Sequence, residues 1–270
     1  MSCENRAIIF AKRTSAVAHP HFRAYDHGPA PVTALATDYV AGHITPAHEH
    51  PYAQLIYAVH GVMIVSTQHG QWVVPPTRAI WMPPQTQHTV RMAGRVQMRS
   101  AFVDPGLAPH LAGDCVVLAV SPLMRELLLA AVALPPPHAP GSRGDHIAHL
   151  LLDELRTLPA LALHLPQPRD ARLQRICERL QAAPDDNSTV AQWAARLHVD
   201  AKTVQRLFAR ETGMSFARWR QQARLLAALE RLARGDRILD TALALGYASP
   251  GAFATMFRRQ FGVAPSAYFR

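Results

Sequence analysis

The chain has 270 residues, nearly half of them apolar, which is more than one core usually serves and enough for two domains. It contains no run of about 18 apolar residues and no basic-then-apolar leader, which argues against a membrane span and a secretory signal and points to the cytoplasm. The net charge of +9 is uneven: residues 166–270 hold 17 Lys and Arg against 9 Asp and Glu, whereas residues 1–165 hold 11 against 10. A basic C-terminal part favours a polyanion partner. Fourteen of the 15 histidines lie in the other part, so the two regions differ in chemistry. Cys3, Cys115 and Cys177 are odd in number and far apart, with neither disulfide nor zinc spacing.

In chain order, short β-rich runs come first, at residues 32–41, 53–59, 62–67, 72–74, 79–82, 88–92 and 96–103. They are separated by turn signals such as His60-Gly61, His69-Gly70 and Pro83-Pro84. Many short strands with such punctuation predict a sandwich or barrel, and residues 115–120 supply a further strand that closes it. The pattern then becomes helical. Ser121 caps a helix over 121–134 with Pro122 at its first position, a Pro/Gly-rich loop follows, and a second amphipathic helix covers 145–158. These two helices pack on the barrel or on another subunit. Residues 166–170 read as a boundary.

Beyond it the chain repeats itself. At an offset of 49, Asp200 meets Ser249, Phe208 meets Phe257, Gly213 meets Gly262 and Trp219 meets Tyr268; upstream the offset is 48. Each copy reads helix, tight turn, helix. In the first, Ser188 caps one helix and Asp200 the next, with Gly213 as the stop; in the second, Gly246 makes the turn, Ser249 caps and Pro250 opens the helix. Phe253, Phe257 and Phe261 recur at i, i+4 and i+8, the spacing of a core stripe rather than of base-stacking groups. One helix over 215–234 joins the copies. At about 1.5 Å per residue it spans roughly 30 Å, close to the ~34 Å between successive major grooves on one DNA face.

The stretches VDAKTVQRLFARETGMSFARWRQQARL and TALALGYASPGAFATMFRRQFGVAPSAY resemble the DNA-binding domain of AraC/XylS-type regulators, over roughly residues 168–270. The resemblance implies two recognition helices, at about 201–212 and 250–260, in successive major grooves of double-stranded DNA. It places Lys202, Gln205 and Arg206 toward bases in the first unit, and Pro250, Gly251, Ala254 and Thr255 in the second. The side chains differ in kind. Lys202 and Arg206 can address guanine and Gln205 adenine, whereas the second set has no bidentate group. Arg210, Arg218, Arg220, Arg224, Arg258 and Arg259 read as phosphate contacts or solvated charge, with Arg210, Arg258 and Arg259 the preferred phosphate ligands.

In the first part, Gly42-x5-His48-x-His50-x3-Gln54-x6-Gly61 resembles the first signature of cupin barrels, with Gln54 where that family has Glu, and Pro83-x4-His88 resembles part of the second. His48 and His50 alternate onto one side of a strand, Gln54 shares that side, and His88 comes from a neighbour. Three imidazoles and an amide oxygen suit Zn, Ni or Cu. The rival reading, a metal-free barrel whose histidines bind an organic ligand or only pack, is the one the residues favour. His19, His21, His27 and His43 read as surface groups near a flexible arm.

The expected architecture is therefore α+β with two domains: an N-terminal cupin-like β-barrel over 1–115, a helical linker and dimerisation region over 116–165, and an all-α double helix-turn-helix domain over 166–270. The expected function is transcription regulation without catalysis. Its partners are duplex DNA, a small-molecule or metal effector, RNA polymerase and a second copy of the chain. The alternatives are a cupin-type metal enzyme with a DNA-binding tail, against which the missing carboxylate counts, and an architectural protein without effector.

Overall fold

The computed structural model describes residues 31–268 except 112, 135, 136 and 162. Cys3, His19, His21 and His27 lie outside the described residues. Eight strands form one antiparallel sheet: β1 Val32–Tyr39, β2 Ala53–Thr67, β3 Gly70–Val74, β4 Arg78–Met82, β5 Thr89–Val103, β6 Val116–Ala119, β7 Ala160–Leu161 and β8 His164–Pro166. Neighbours run β1-β5-β2-β4-β6-β7, with β3 joining β2 to β8. Among the described strands β1 and β7 end this path without pairing each other, so the sheet is not closed.

Both faces of the sheet are buried, which explains why β2 reads as a nearly continuous apolar run rather than an alternation. Leu55, Tyr57, Ala79, Trp81, Ala101 and Leu118 form one core with two helices, α1 Pro122–Val132 and α2 Arg143–Leu155. Ile56, Ala58, Ile80, Met82, Met98 and Val117 face the other way. The helices at 122–155 thus pack on the sheet, through Leu127, Leu128, Leu151, Leu152 and Leu155. Ser121 caps α1, its Oγ accepting from the Met124 amide. Ser142 caps α2 a few residues earlier than the start expected at 145. Residues 116–165, expected as a helical linker, also place β6, β7 and part of β8 in the sheet.

Two breaks expected from the sequence are continuous strand. β2 runs through His60-Gly61 and β5 through residues 93–95, and the two pair along their length with register shifts around His60. Gly61 is a bulge residue, with φ +85° and a hypothetical Cβ only 2.1 Å from the Arg95 carbonyl oxygen. A glycine that bends a strand and one that ends it leave the same trace in a sequence.

The C-terminal part is helical: α3 Ala171–Ala182, α4 Val190–Arg196, α5 Ala201–Thr212, α6 Phe216–Ala233, α7 Ile238–Ala244, α8 Pro250–Phe261 and α9 Pro265–Tyr268. The molecule is therefore an α+β protein of two domains, sheet-rich then helical. The two copies expected from the duplication are α4–α5 and α7–α8. Asp200 and Ser249 cap α5 and α8, and Gly213 and Gly262 end them in left-handed conformation. The cap of α4 is Thr189, one residue after the expected Ser188, in a reciprocal box with Gln192. Phe208, Trp219, Phe253 and Phe257 are fully buried, and the Phe253, Phe257 and Phe261 rings stack along α8 at 5.7 and 4.6 Å, as a core stripe should.

The 18 residues of α6 span about 27 Å. This helix links the two helix-turn-helix units and also packs on the sheet, where Leu225, Leu226 and Leu229 share a core with Met63, Val65 and Met92. β8 pairs with β3, and the Pro166 carbonyl at its end accepts from Trp219 Nε1 of α6 at 2.8 Å. Among the described residues no helix is long and apolar enough to cross a membrane.

Candidate nucleic-acid interface and histidine cluster

On α5 the helical period separates the two faces cleanly. Val204, Leu207 and Phe208 are buried, whereas Lys202, Gln205 and Arg206 are exposed side by side. On α8, Phe253 and Phe257 point inward, Gly251, Thr255, Arg258 and Arg259 are exposed, and Pro250 and Ala254 are half-buried. The Thr255 hydroxyl donates to the Gly251 carbonyl one turn back at 2.9 Å, so its proton is already engaged and its methyl is the freer surface.

The cations divide by what they touch. Among the described residues, Lys202, Arg206, Arg218, Arg258 and Arg259 take part in no ion pair. Arg220 and Arg224 are different: neither is a merely solvated charge, since both are engaged within the protein. Arg220 Nη1 donates to the Ser188 carbonyl at 3.0 Å, and its guanidinium lies 5.2 Å over the Phe216 ring. Arg224 donates to the Pro184 carbonyl at 2.6 Å and to Asn187 Oδ1 at 2.9 Å. Both brace α6 against the 184–188 turn. Arg210 is exposed but pairs with Glu211 at 3.0 Å. The Glu211 carboxylate also accepts from the Asp170 and Arg169 amides at 2.9 Å each, and these bonds with the Arg210 guanidinium hold its carboxyl below the usual range.

The sheet domain brings His48, His50 and His88 together, with one nitrogen from each lying within 4.8 Å of the others. His48 and His88 face each other across a two-way backbone bridge, amide to carbonyl at 3.0 and 2.9 Å. Each Nδ1 lies 2.8 Å from the carbonyl two residues earlier, Pro46 and Thr86 respectively. A carbonyl only accepts, so Nδ1 carries a proton in both rings, and in a neutral His88 the lone pair is on Nε2. Burial, with the neighbouring His48, lowers His88 to about 3 and His50 to about 4, so both are neutral imidazoles at neutral pH. Gln54 is opposite Phe102 in the β2–β5 ladder, which puts the two on one face, and the Phe102 ring packs edge-on against His50 at 5.0 Å. His88 Nε2 and Gln54 Oε1 are buried with no hydrogen-bond partner among the described residues. The Nδ1 bond to Thr86 fixes the orientation of the His88 ring behind its buried Nε2. His43 is exposed and stacks on Tyr39, as a surface histidine.

The sequence reading did not find Arg91 and Glu230, which join the domains, or Phe102. Arg91 and Glu230 are 139 positions apart and carry no local signal.

A double helix-turn-helix domain with an uncompensated cationic face, preceded by a sheet domain with a buried ligand-competent cluster, defines a DNA-binding regulator. A family model described as a helix-turn-helix domain matches residues 193–270. The HTH-type transcriptional regulator NimR of Escherichia coli K12 is 33% identical over 224 residues, covering 83% of this chain and 82% of that one. The regulator RipA of Corynebacterium glutamicum is 34% identical over 122 residues, 45% of this chain and 35% of RipA. A structure of ToxT from Vibrio cholerae aligns at 10% identity with a TM-score of 0.37, over 88% of this chain and 98% of that one. The chain belongs to the AraC-type family of helix-turn-helix transcription regulators and binds double-stranded DNA. It is not an enzyme, which sets aside the reading of a catalytic cupin with a DNA-binding tail.

Proposed function

We propose that this regulator reads sequence mainly through α5 and uses α8 for orientation and affinity, with both helices in successive major grooves. The observation that carries this is the contrast between the two exposed faces. Lys202, Gln205 and Arg206 are long polar groups able to bind base edges, whereas Gly251, Ala254 and Thr255 offer a backbone, a methyl and a hydroxyl already spent on Gly251. Arg258 and Arg259 follow directly and clamp phosphates, with Arg210 contributing despite its Glu211 partner. Arg206→Ala is expected to cost about 1–3 kcal/mol on the bound site and to relax selectivity at one or two base pairs. Arg259→Ala should weaken all duplexes evenly and make the salt slope shallower by about one. Saturation mutagenesis of the bound DNA measures both, and equal information content in the two half-sites would overturn the division.

The sheet domain, on this reading, is a cupin-like sensor. The described residues up to Pro166 form the sensor, because β6, β7, β8, α1 and α2 belong to its sheet and core, and the helices beyond bind DNA; the outward faces of α1 and α2 are where a second copy would pair. The regulator works in the cytoplasm, as a homodimer and alongside RNA polymerase. Its effector site is the cluster of His48, His50, His88 and Gln54, supported by the two orphaned buried acceptors and the fixed Nδ1 protons. Zn, Ni or Cu fits this neutral nitrogen-rich set, for which the protein supplies imidazoles already deprotonated at neutral pH. Protein purified without a tag or chelator is expected to carry up to one equivalent per chain, and His50→Ala should abolish it while the helical domain stays folded by circular dichroism. Protein that remains metal-free after dialysis against zinc(II) would instead make the cluster a site for an organic hydrogen-bond donor.

A further inference from the structure

The segments that carry the histidines also carry a contact to the DNA-binding domain. Residues 43–48 pair with 88–92: His48 and His88 bridge at one end, Ile44 and Arg91 at the other, and the Met92 amide donates to the His43 carbonyl at 2.9 Å. Between them the Thr45 hydroxyl accepts from the Val90 amide at 2.9 Å. His88 and Arg91 are three residues apart, about 10 Å along an extended chain. The Arg91 guanidinium reaches out of the sheet and binds Glu230 of α6 in bidentate fashion, at 2.7 and 3.0 Å. Arg234, one turn further on, pairs with the same carboxylate. Burial opposes ionisation of Glu230, yet the two guanidinium groups outweigh it and hold its carboxyl below the usual range. A second point of contact lies close by, since a Cβ at Gly94 of β5 would come 3.0 Å from the Ala233 carbonyl oxygen at the end of α6.

The position of this contact matters. Glu230 sits in the last turn of the helix that sets the spacing of the two helix-turn-helix units, directly before the second unit begins. A bidentate pair constrains direction as well as distance. The exposed faces of α5 and α8 are free of the sheet, so the sheet does not cover the DNA-binding surface; it holds the connector.

We propose that the Arg91–Glu230–Arg234 cluster is the coupling contact through which the sheet domain sets the orientation of the second helix-turn-helix unit relative to the first. The input half, in which drawing His48, His50 and His88 together shifts the paired segments and moves Arg91, rests on the reading of that cluster as the effector site. The clamp itself does not. Coupling between sites is reciprocal, so DNA bound at α5 and α8 must alter the 89–96 segment as effector binding alters DNA affinity.

Hydrogen exchange read by mass spectrometry on the full chain tests this. The probe is a duplex enriched from a random pool by the unmodified protein. DNA should slow exchange in α5 and α8 and change the exchange rate of residues 89–96 by about fivefold or more, the lower end of ordinary site-to-site coupling. Glu230→Gln, nearly isosteric, should keep the protection of α5 and α8 and lose the change at 89–96. Arg91→Glu combined with Glu230→Arg should restore it. An unmodified protein whose α5 and α8 are protected without any change at 89–96, or a Glu230→Gln variant with an undiminished change, would refute the clamp. Absence of protection in α5 and α8 would remove its output and refute it as well. A separate arm adds zinc(II) without DNA; no response in residues 44–50 then overturns the metal reading of the histidines and leaves the clamp standing on the DNA arm.

Discussion

Affinity for duplex DNA should fall about 150-fold between 50 and 200 mM salt, a slope near −3.6 in log affinity against log salt. The bulk charge alone would suggest far more, since residues 166–270 hold 17 cationic side chains. Seven of these are engaged within the protein. Arg172, Arg179, Arg231, Arg234 and Arg237 face carboxylates, and Arg220 and Arg224 are spent on backbone carbonyls of the 184–188 turn. With Lys202 and Arg206 facing bases, the cations left for phosphates in or beside the recognition helices are Arg210, Arg218, Arg258 and Arg259. At about 0.9 counterions released per neutralised phosphate, four contacts produce the slope stated. Fluorescence anisotropy across a salt series measures it. A flat response, or a slope beyond about −8, would show that the division of the arginines into braces and DNA ligands is wrong.

Trp219→Ala should destabilise the full chain by about 3–5 kcal/mol in chemical denaturation, the usual range for removing a fully buried indole. Trp219 has no exposed surface, packs at 6.2 Å against the Phe208 ring and donates to Pro166. Its loss opens a cavity in the helical core and frees the strand that ties the domains. Trp219→Phe deletes the donor but keeps an aromatic ring and leaves a smaller cavity, so it should cost less than alanine, with about 1–3 kcal/mol of its cost from the orphaned carbonyl. An alanine variant that unfolds at the unmodified denaturant midpoint would contradict the packing described.

What could be read in the sequence is what local chemistry controls. The caps at Ser121, Asp200 and Ser249 and the left-handed stops at Gly213 and Gly262 each depend on neighbours a few residues away, and each is where the pattern puts it. The duplication made the second unit legible from the first. His48, His50 and His88 converge as the cupin resemblance implies, but not on one strand: His48 meets His88 at an isolated bridge and His50 precedes β2, each of the two bridged rings held by the carbonyl two residues upstream. Long-range partners were not legible. Arg224 and Arg258 are the same residue type on a helix, and only partners about 40 positions away, the carbonyl of Pro184 and the side chain of Asn187, mark Arg224 as a brace where Arg258 is exposed and in no ion pair. Gly61 was misread for the opposite reason: a bulge and a turn require the same backbone freedom, and only the facing Arg95 carbonyl distinguishes them.

The pairing of β8 with β3 bears on how such a chain can be recombined. Families of this kind are easily pictured as interchangeable sensors on a common DNA-reading module, joined by slack. Here the joint is a strand of the sheet domain itself, and its last carbonyl accepts a hydrogen bond from the connector helix. A chimera cut after Pro166 keeps the strand but presents α6 to a foreign sheet surface; one cut before His164 strands β3 without its neighbour. The exchangeable unit is therefore larger than either domain, and a transplanted sensor must bring its own counterpart of Arg91 and a matching face for Leu225, Leu226 and Leu229.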